Sequence, residues 1–242
     1  MSIRDIMQAK RDSIKSAAAL PKVPDVLPAQ ATINKRAGQP EKLRLFLQQL
    51  YNDVGQLKAV SDLAEKQTIK KGLLANYTTF VAAYIDAGDN YPNPVAVQVM
   101  IWLFDVMAVE AALKIALVLV GQNQAMPENF GRNMPTYVCD ALYDWANIML
   151  VEGWSASPYL DELVGQLPGW DERYTLPVPV VSKCYAMLAK HKEREGDMND
   201  NPAMQKELYQ RGFELCEMAQ AHNPEKHGTK TLARRLNDKR NY

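Results

Sequence analysis

Four carboxylates in the middle of the chain, Asp105, Glu110, Asp140 and Asp144, are the first residues whose type could do chemistry. Several such groups converging on hard cations about 3.5–4 Å apart would make a metal-dependent nuclease. Asp140 and Asp144 share a helix face at i,i+4, but acidic faces are commonplace on solvated helices, so none of the four is assigned catalysis and no metal site is assigned. The three histidines, His191, His222 and His227, fall late in the chain in charged or turn-like contexts. His222 and His227 are five apart across Pro224, not the four that sets two imidazoles on one helical face for zinc, and read better as surface histidines. Cys139, Cys184 and Cys216 are far apart, odd in number and without a CxxC pair, which suggests neither a disulfide framework nor a thiolate zinc site and fits a reducing cytoplasm. No G-x-x-x-x-G-K-[ST] phosphate loop and no G-x-S-x-G elbow occur, so a P-loop ATPase and a hydrolytic triad are both disfavoured and no cofactor is expected.

The basic residues offer more. Net charge is zero, from 28 Lys+Arg against 28 Asp+Glu, which removes the simplest case for nucleic-acid binding, a uniformly basic protein. The distribution restores it: residues 1–36 hold 7 basic and 3 acidic side chains and residues 222–242 hold 6 and 2, whereas residues 86–181 hold 3 and 12. Such blocks can hold a polyanion at the ends while the middle repels it, or arrange copies of the chain. Arg4, Lys10, Arg11 and Lys15, with Lys35 and Arg36, could neutralise several phosphates by counterion release, contacts that position DNA without reading its sequence. The competing reading of the same segment is an amphipathic oligomerisation helix. Arg234, Arg235, Lys239 and Arg240 form a second candidate patch, whose bland alternative is a frayed basic tail.

The elements that must carry these residues are helical. Apolar residues recur at three- and four-residue spacing, no succession of hairpin turns or alternating strands is present, and the fold class expected is all-α. Helical hairpins should pack as a bundle or a short tetratricopeptide-like array behind an N-terminal helical arm. Residues 1–20 read as a basic amphipathic helix, with Ile3, Met7, Ile14 and Ala18 on one face. Residues 21–40, with Pro21, Pro24, Pro28, Gly38 and Pro40, read as an extended linker.

Residues 41–153 read as a central helical core expected to oligomerise. A helix starts at Glu41, and a second runs from a capping-box-like Ser61-Asp62-Leu63-Ala64-Glu65 to Ala87, ended by Gly88. Residues 95–104 favour helix over a buried strand that would lack partners, residues 109–120 follow, stopped by Gly121, and another helix runs from Pro135 to near Gly153. Residues 154–180, carrying Pro158, Gly165, Pro168, Gly169, Pro177 and Pro179, read as a Pro/Gly-rich connection and the second boundary. Residues 181–242 read as a helical pair and a basic tail. The apolar region 95–120 is broken by Gln98, Asp105, Glu110 and Lys114, so it reads as buried core and no membrane contact is expected. The amino terminus lacks the apolar stretch of a secretory signal.

The stretch Val99-Met-Ile-Trp-Leu-Phe-Asp105, then Ala111-Ala-Leu-Lys-Ile-Ala116, then Ala125-Met-Pro-Glu-Asn-Phe-Gly-Arg132 with Pro135-Thr136, resembles the small terminase subunit of P-two-like tailed bacteriophages. Residues 57–66 and 70–74 are similar as well, and residues 219–236 loosely so. Where that family carries a Gly-Asp turn after the Trp-x-x-Asp segment, this chain has Val106-Met107-Ala108, which leaves the turn geometry open. The resemblance implies a homo-oligomer, ring-like or open, that recognises the packaging initiation site on double-stranded viral DNA in the host cell cytoplasm and delivers it to a large terminase subunit. ATP hydrolysis and cutting would then belong to the large subunit, with no intrinsic catalysis here. Two alternatives stay open: a metal-dependent endonuclease subunit of the terminase complex, and a helical adaptor that binds only protein.

Overall fold

The computed structural model describes residues 39–241, and every described element is a helix. The expected helix over residues 5–20, most of the linker, and Arg4, Lys10, Arg11, Lys15, Lys35 and Arg36 lie outside the described residues. Two compact units divide the chain, Met1–Met134 and Pro135–Tyr242. The boundary between these units falls at the start of the helix Met134–Glu152.

In the first unit, α1 (Gln39–Ala59), α2 (Leu63–Asp86), α3 (Pro94–Asp105) and α4 (Val109–Gly121) follow one another. The reason α2 starts where it does is local: Asp62 accepts from the Glu65 N–H at 2.7 Å, satisfying one of the orphan donors of the first turn. Gly88, at φ +65°, takes the left-handed turn that ends it. Pro94 opens α3 after Asn93, whose side chain accepts from the Ala96 N–H. Nine of the twelve α3 residues are buried, from Val95 through Phe104, which explains the near-continuous apolar sequence without any sheet. It packs on α1, α2 and α4. Lys70 reaches back from α2 to close the polar end of α3, 2.6 Å from Asp105.

Aromatic contacts seat α1. Phe46 stacks on Phe80 with centroids 4.4 Å apart, Tyr77 meets Trp102 edge-on at 5.8 Å, and the Tyr77 hydroxyl donates to the buried Asp53 carboxylate. Burial first, then that hydrogen bond, pushes the Tyr77 phenol up. At the other end of α2, the Tyr84 hydroxyl lies 2.7 Å from Gln122 Oε1 and accepts from Gln124 Nε2 at 3.0 Å, while Gln122 Nε2 donates to the Asp89 carbonyl. This ties the loop after α2 to the end of α4, and burial pushes the Tyr84 phenol up to about 12. The Val106-Met107-Ala108 turn is made after all: Ala108 N–H bonds to Leu103 O and Met107 N–H to Phe104 O, with Met107 at φ +64°. A methionine occupies a left-handed position that favours glycine, and its own burial offsets the strain.

The second unit holds α5 (Met134–Glu152), α6 (Tyr159–Tyr174), α7 (Val178–Asp197), α8 (Pro202–His222) and α9 (Lys230–Arg240). Here α6 corrects the sequence reading of residues 154–180 as a connection. Leu160, Leu163, Val164, Leu167 and Trp170 are all buried at helical spacing, and that face outweighs the Pro168 inside the helix and the glycines on either side of it. α7 packs on α6 and α8, and α9 lies on α8. Two bare positions set the closeness of approach. A Cβ on Gly196 of α7 would fall within 2.8 Å of Tyr209 Cδ1, and one on Gly212 of α8 would fall 3.2 Å from both Leu236 methyls of α9.

Candidate nucleic-acid interface

Of the two basic patches expected from sequence, the C-terminal one lies within the described residues. α9 is amphipathic: Leu232 and Leu236 are buried at i,i+4, and the polar remainder is strongly basic. The helix starts at a buried Thr229, whose hydroxyl lies 2.6 Å from His227 Nδ1.

The four basic side chains of the expected patch divide by partner. Arg235 forks onto Glu193 of α7, Nε at 3.0 Å and Nη2 at 2.7 Å. Lys239 donates to Glu193 at 3.2 Å and to Asp197 at 2.6 Å, where Asp197 also accepts from the Tyr209 hydroxyl. Arg240 lies 3.7 Å over the Phe213 ring and donates to Gln210 and Asn237. Only Arg234 is exposed and makes no ion pair among the described residues; Lys230, one turn earlier, is exposed on the same helical face.

Burial alone would raise the Glu193 carboxyl, but hydrogen bonds from Arg235 and Lys239 outweigh it and hold the group below the ordinary carboxylate range. The patch is thus largely a latch. Glu193 and Asp197 of α7 neutralise Arg235 and Lys239, Arg240 keeps its charge against neutral partners, and Lys230 and Arg234 form a two-residue positive stripe toward solvent.

The carboxylates considered for metal chemistry are separated and engaged. Asp105 pairs with Lys70, Glu110 with Lys114 at 3.2 Å, and Asp140 with Lys183 at 2.6 Å, where the Lys183 ammonium also sits 4.6 Å from the Tyr143 ring centre. Among the described residues no group of three or more His, Cys, Asp or Glu is arranged to hold a metal ion. The histidines are less exposed than their sequence context suggests. His222 is half-buried and stacks on Tyr185, His227 is half-buried against Thr229, and His191 is 1% exposed. The thiols of Cys139, Cys184 and Cys216 are free and buried.

A polar cluster that sequence reasoning missed surrounds Lys192. Its ammonium lies 2.7 Å from Asp161 and 2.8 Å from Glu195, and Glu195 also accepts from Ser155 and Ser157. Burial would lower the Lys192 pKa, but its two carboxylate partners overcome this and raise it. The run Lys190-His191-Lys192-Glu193-Arg194-Glu195 looks like a solvated face. The available signal was the buried stripe Val181, Cys184, Leu188, whose next helical position is His191.

No described helix is long and apolar enough to cross a membrane. Residues 47–171 match the sequence profile of a family described as phage small terminase subunit. The probable terminase, endonuclease subunit of Haemophilus phage HP1 (strain HP1c1) is 29% identical over 163 residues, a match covering 67% of this chain and 56% of that protein. The match spans little more than half of that relative's length, and no solved structure matches. With just over half of its residues inside the family profile, from α1 through most of α6, the chain belongs to the phage small terminase subunit family.

Proposed function

We propose that this chain is the DNA-recognition subunit of a phage packaging motor. Copies assemble through apolar helix faces, hold the packaging initiation site of concatemeric viral DNA, and deliver it to the large ATPase and nuclease subunit in the host cell cytoplasm. Family membership over residues 47–171 is the observation that carries this reading. The charge map supports it: with two of the four C-terminal patch residues, Arg235 and Lys239, held by Glu193 and Asp197, the phosphate contacts fall mainly to Arg4, Lys10, Arg11, Lys15, Lys35 and Arg36, supplemented by Lys230 and Arg234. A few such contacts per chain bind weakly, and repetition around an oligomer turns them into avidity.

The test combines light-scattering mass, with and without a duplex spanning the packaging site, and binding measured across a salt series. An oligomer with a steep salt dependence is expected, and Arg4→Ala/Arg11→Ala/Lys15→Ala should flatten the slope by up to about 2.7, at roughly 0.9 for each phosphate no longer neutralised. A monomer without affinity for duplex DNA in dilute buffer refutes the proposal.

A second reading, intrinsic endonuclease activity, is favoured by the name of the Haemophilus phage relative. Magnesium-dependent cutting by the purified chain, abolished by Asp140→Asn or Asp144→Asn, would establish it. Against it stands the ion pair that commits Asp140 to Lys183.

A further inference from the structure

The last residue of α7 is a carboxylate where the helix itself disfavours one. Asp197 ends the helix Val178–Asp197, at the pole where the backbone dipole opposes negative charge. Contacts from α8 and α9 hold it there: Lys239 donates to it at 2.6 Å and the Tyr209 hydroxyl at 2.9 Å. Lys239 does not depend on it in return. Its ammonium also lies 3.2 Å from Glu193 and 5.2 Å over the Tyr209 ring, contacts that keep the cation in place without Asp197. The two carboxylates differ in exposure. Glu193 is sheltered beneath Arg235 and Lys239, whereas Asp197 is 47% exposed and meets Lys239 at the solvent edge. One anchors α9, and the other occupies the place where an anion from solvent would meet the Lys239 ammonium.

The neighbouring charges say which anion. Lys230 and Arg234 lie one turn apart on the exposed side of α9, and Arg235 and Lys239 make a second row beside them, each pair spaced by about 6 Å along the axis. Arg235 commits Nε and Nη2 to Glu193, yet half of its side chain still meets solvent. Parallel rows of cations fit a ligand whose charges recur at short regular intervals, one per about 1.7 Å of axis in duplex DNA, better than a lone anion. Two carboxylates oppose such a ligand: Asp238, exposed one turn after Arg234, and Asp197, in direct contact with Lys239. Only the second neutralises a cation of the rows at ion-pair distance.

We propose that Asp197 is a resident anion that attenuates a duplex-binding surface on α9: a backbone phosphate replaces it at Lys239, while Glu193 keeps the helix docked and Lys230, Arg234 and Arg235 take neighbouring phosphates. This rests on the DNA-recognition reading above and adds a built-in restraint on how tightly each chain holds DNA. The probe is a duplex of arbitrary sequence, since phosphate contacts do not read bases, bound to the full chain across a salt series. Asp197→Asn keeps an acceptor for Tyr209 and suits a helix end. One further phosphate contact per chain should steepen the salt slope by about 0.9, which is about 8-fold tighter binding at about 0.1 M salt. Asp197→Asn/Lys239→Gln should return to wild-type affinity, because the gain belongs to the pair. Glu162→Gln, the same charge change at an exposed position of α6, should leave affinity unaltered. With wild-type binding intact, an unchanged slope in Asp197→Asn, an equal gain from Glu162→Gln, or a gain that survives the loss of Lys239 would each overturn this proposal and leave the DNA-recognition reading standing. No duplex binding in dilute buffer by wild type or any variant would overturn both. Tightening toward polyglutamate without tightening toward the duplex would assign the surface to an acidic protein and overturn the proposal. Should Asp197→Asn fail to fold, Asp197→Ser, which also offers Tyr209 an acceptor, decides.

Discussion

Replacing Glu193 by glutamine removes one charge from the α9 latch and keeps its shape. The carboxylate is 13% exposed and receives three donors, two from Arg235 and one from Lys239. Hydrogen bonds to a charged group contribute about 1.5–3 kcal/mol each before screening. Arg235 is 52% exposed and Lys239 33%, so both cations can turn back to water, and Lys239 keeps Asp197 at 2.6 Å. Discounted for that solvation, Glu193→Gln should destabilise the second unit by about 2 kcal/mol. In a domain of this size that lowers its melting transition by about 8–16 °C, read by calorimetry of the full chain at pH 7. The pH dependence gives an independent check. Because the folded-state pKa of Glu193 is depressed, its contribution is fully present above the unfolded carboxylate pKa of about 4.3 and disappears as pH falls through the folded value. The gap between wild type and variant should therefore close with acidification. Equal melting at pH 7, or a gap that survives strong acid unchanged, would refute the account of α9 as a charge-held latch.

Other perturbations probe the second unit elsewhere. Gly196→Ala should lose about 1–2 kcal/mol in urea denaturation, since overpacking against Tyr209 exceeds the gain in helix propensity, whereas Gly165→Ala, with nothing within 4 Å, should gain about 0.5–1 kcal/mol. Thr175 ends α6 in the left-handed region at φ +51° while exposed, so Thr175→Gly should raise stability by about 1 kcal/mol; a loss would mean that its side chain holds the cap. Burial depresses the His191 pKa, so the unfolded chain binds a proton there more readily: stability should fall as pH drops below about 6.5, levelling off below the folded value, and His191→Gln should remove that slope.

Much of the fold was legible because it is written in local signals. Asp62 and Gly88 bracket α2, Pro94 opens α3, and apolar spacing marks α7 and α8. What escaped was set by contacts distant in sequence. Pro168 and its flanking glycines hid α6, whose buried face is visible at residues 160, 163, 164, 167 and 170 once the breakers are set aside. The basic tail read as a free patch because its counter-charges, Glu193 and Asp197, lie about forty residues upstream in a segment of mixed charge. His191 was masked in the same way by the charged neighbours that surround a buried position.

All three thiols of the chain sit between Pro135 and Tyr242. Cys139 and Cys184 are wholly enclosed and Cys216 nearly so. The Cys139 thiol is pushed up by its hydrogen bond to Cys184 and by burial, and burial pushes the Cys216 thiol up to about 11. An alkylating reagent that needs an accessible thiolate has no target in the native chain. Consumption of iodoacetamide in native buffer therefore counts spontaneous openings of the second unit while the first contributes no signal, a chemical clock for one half of the molecule without any engineered label.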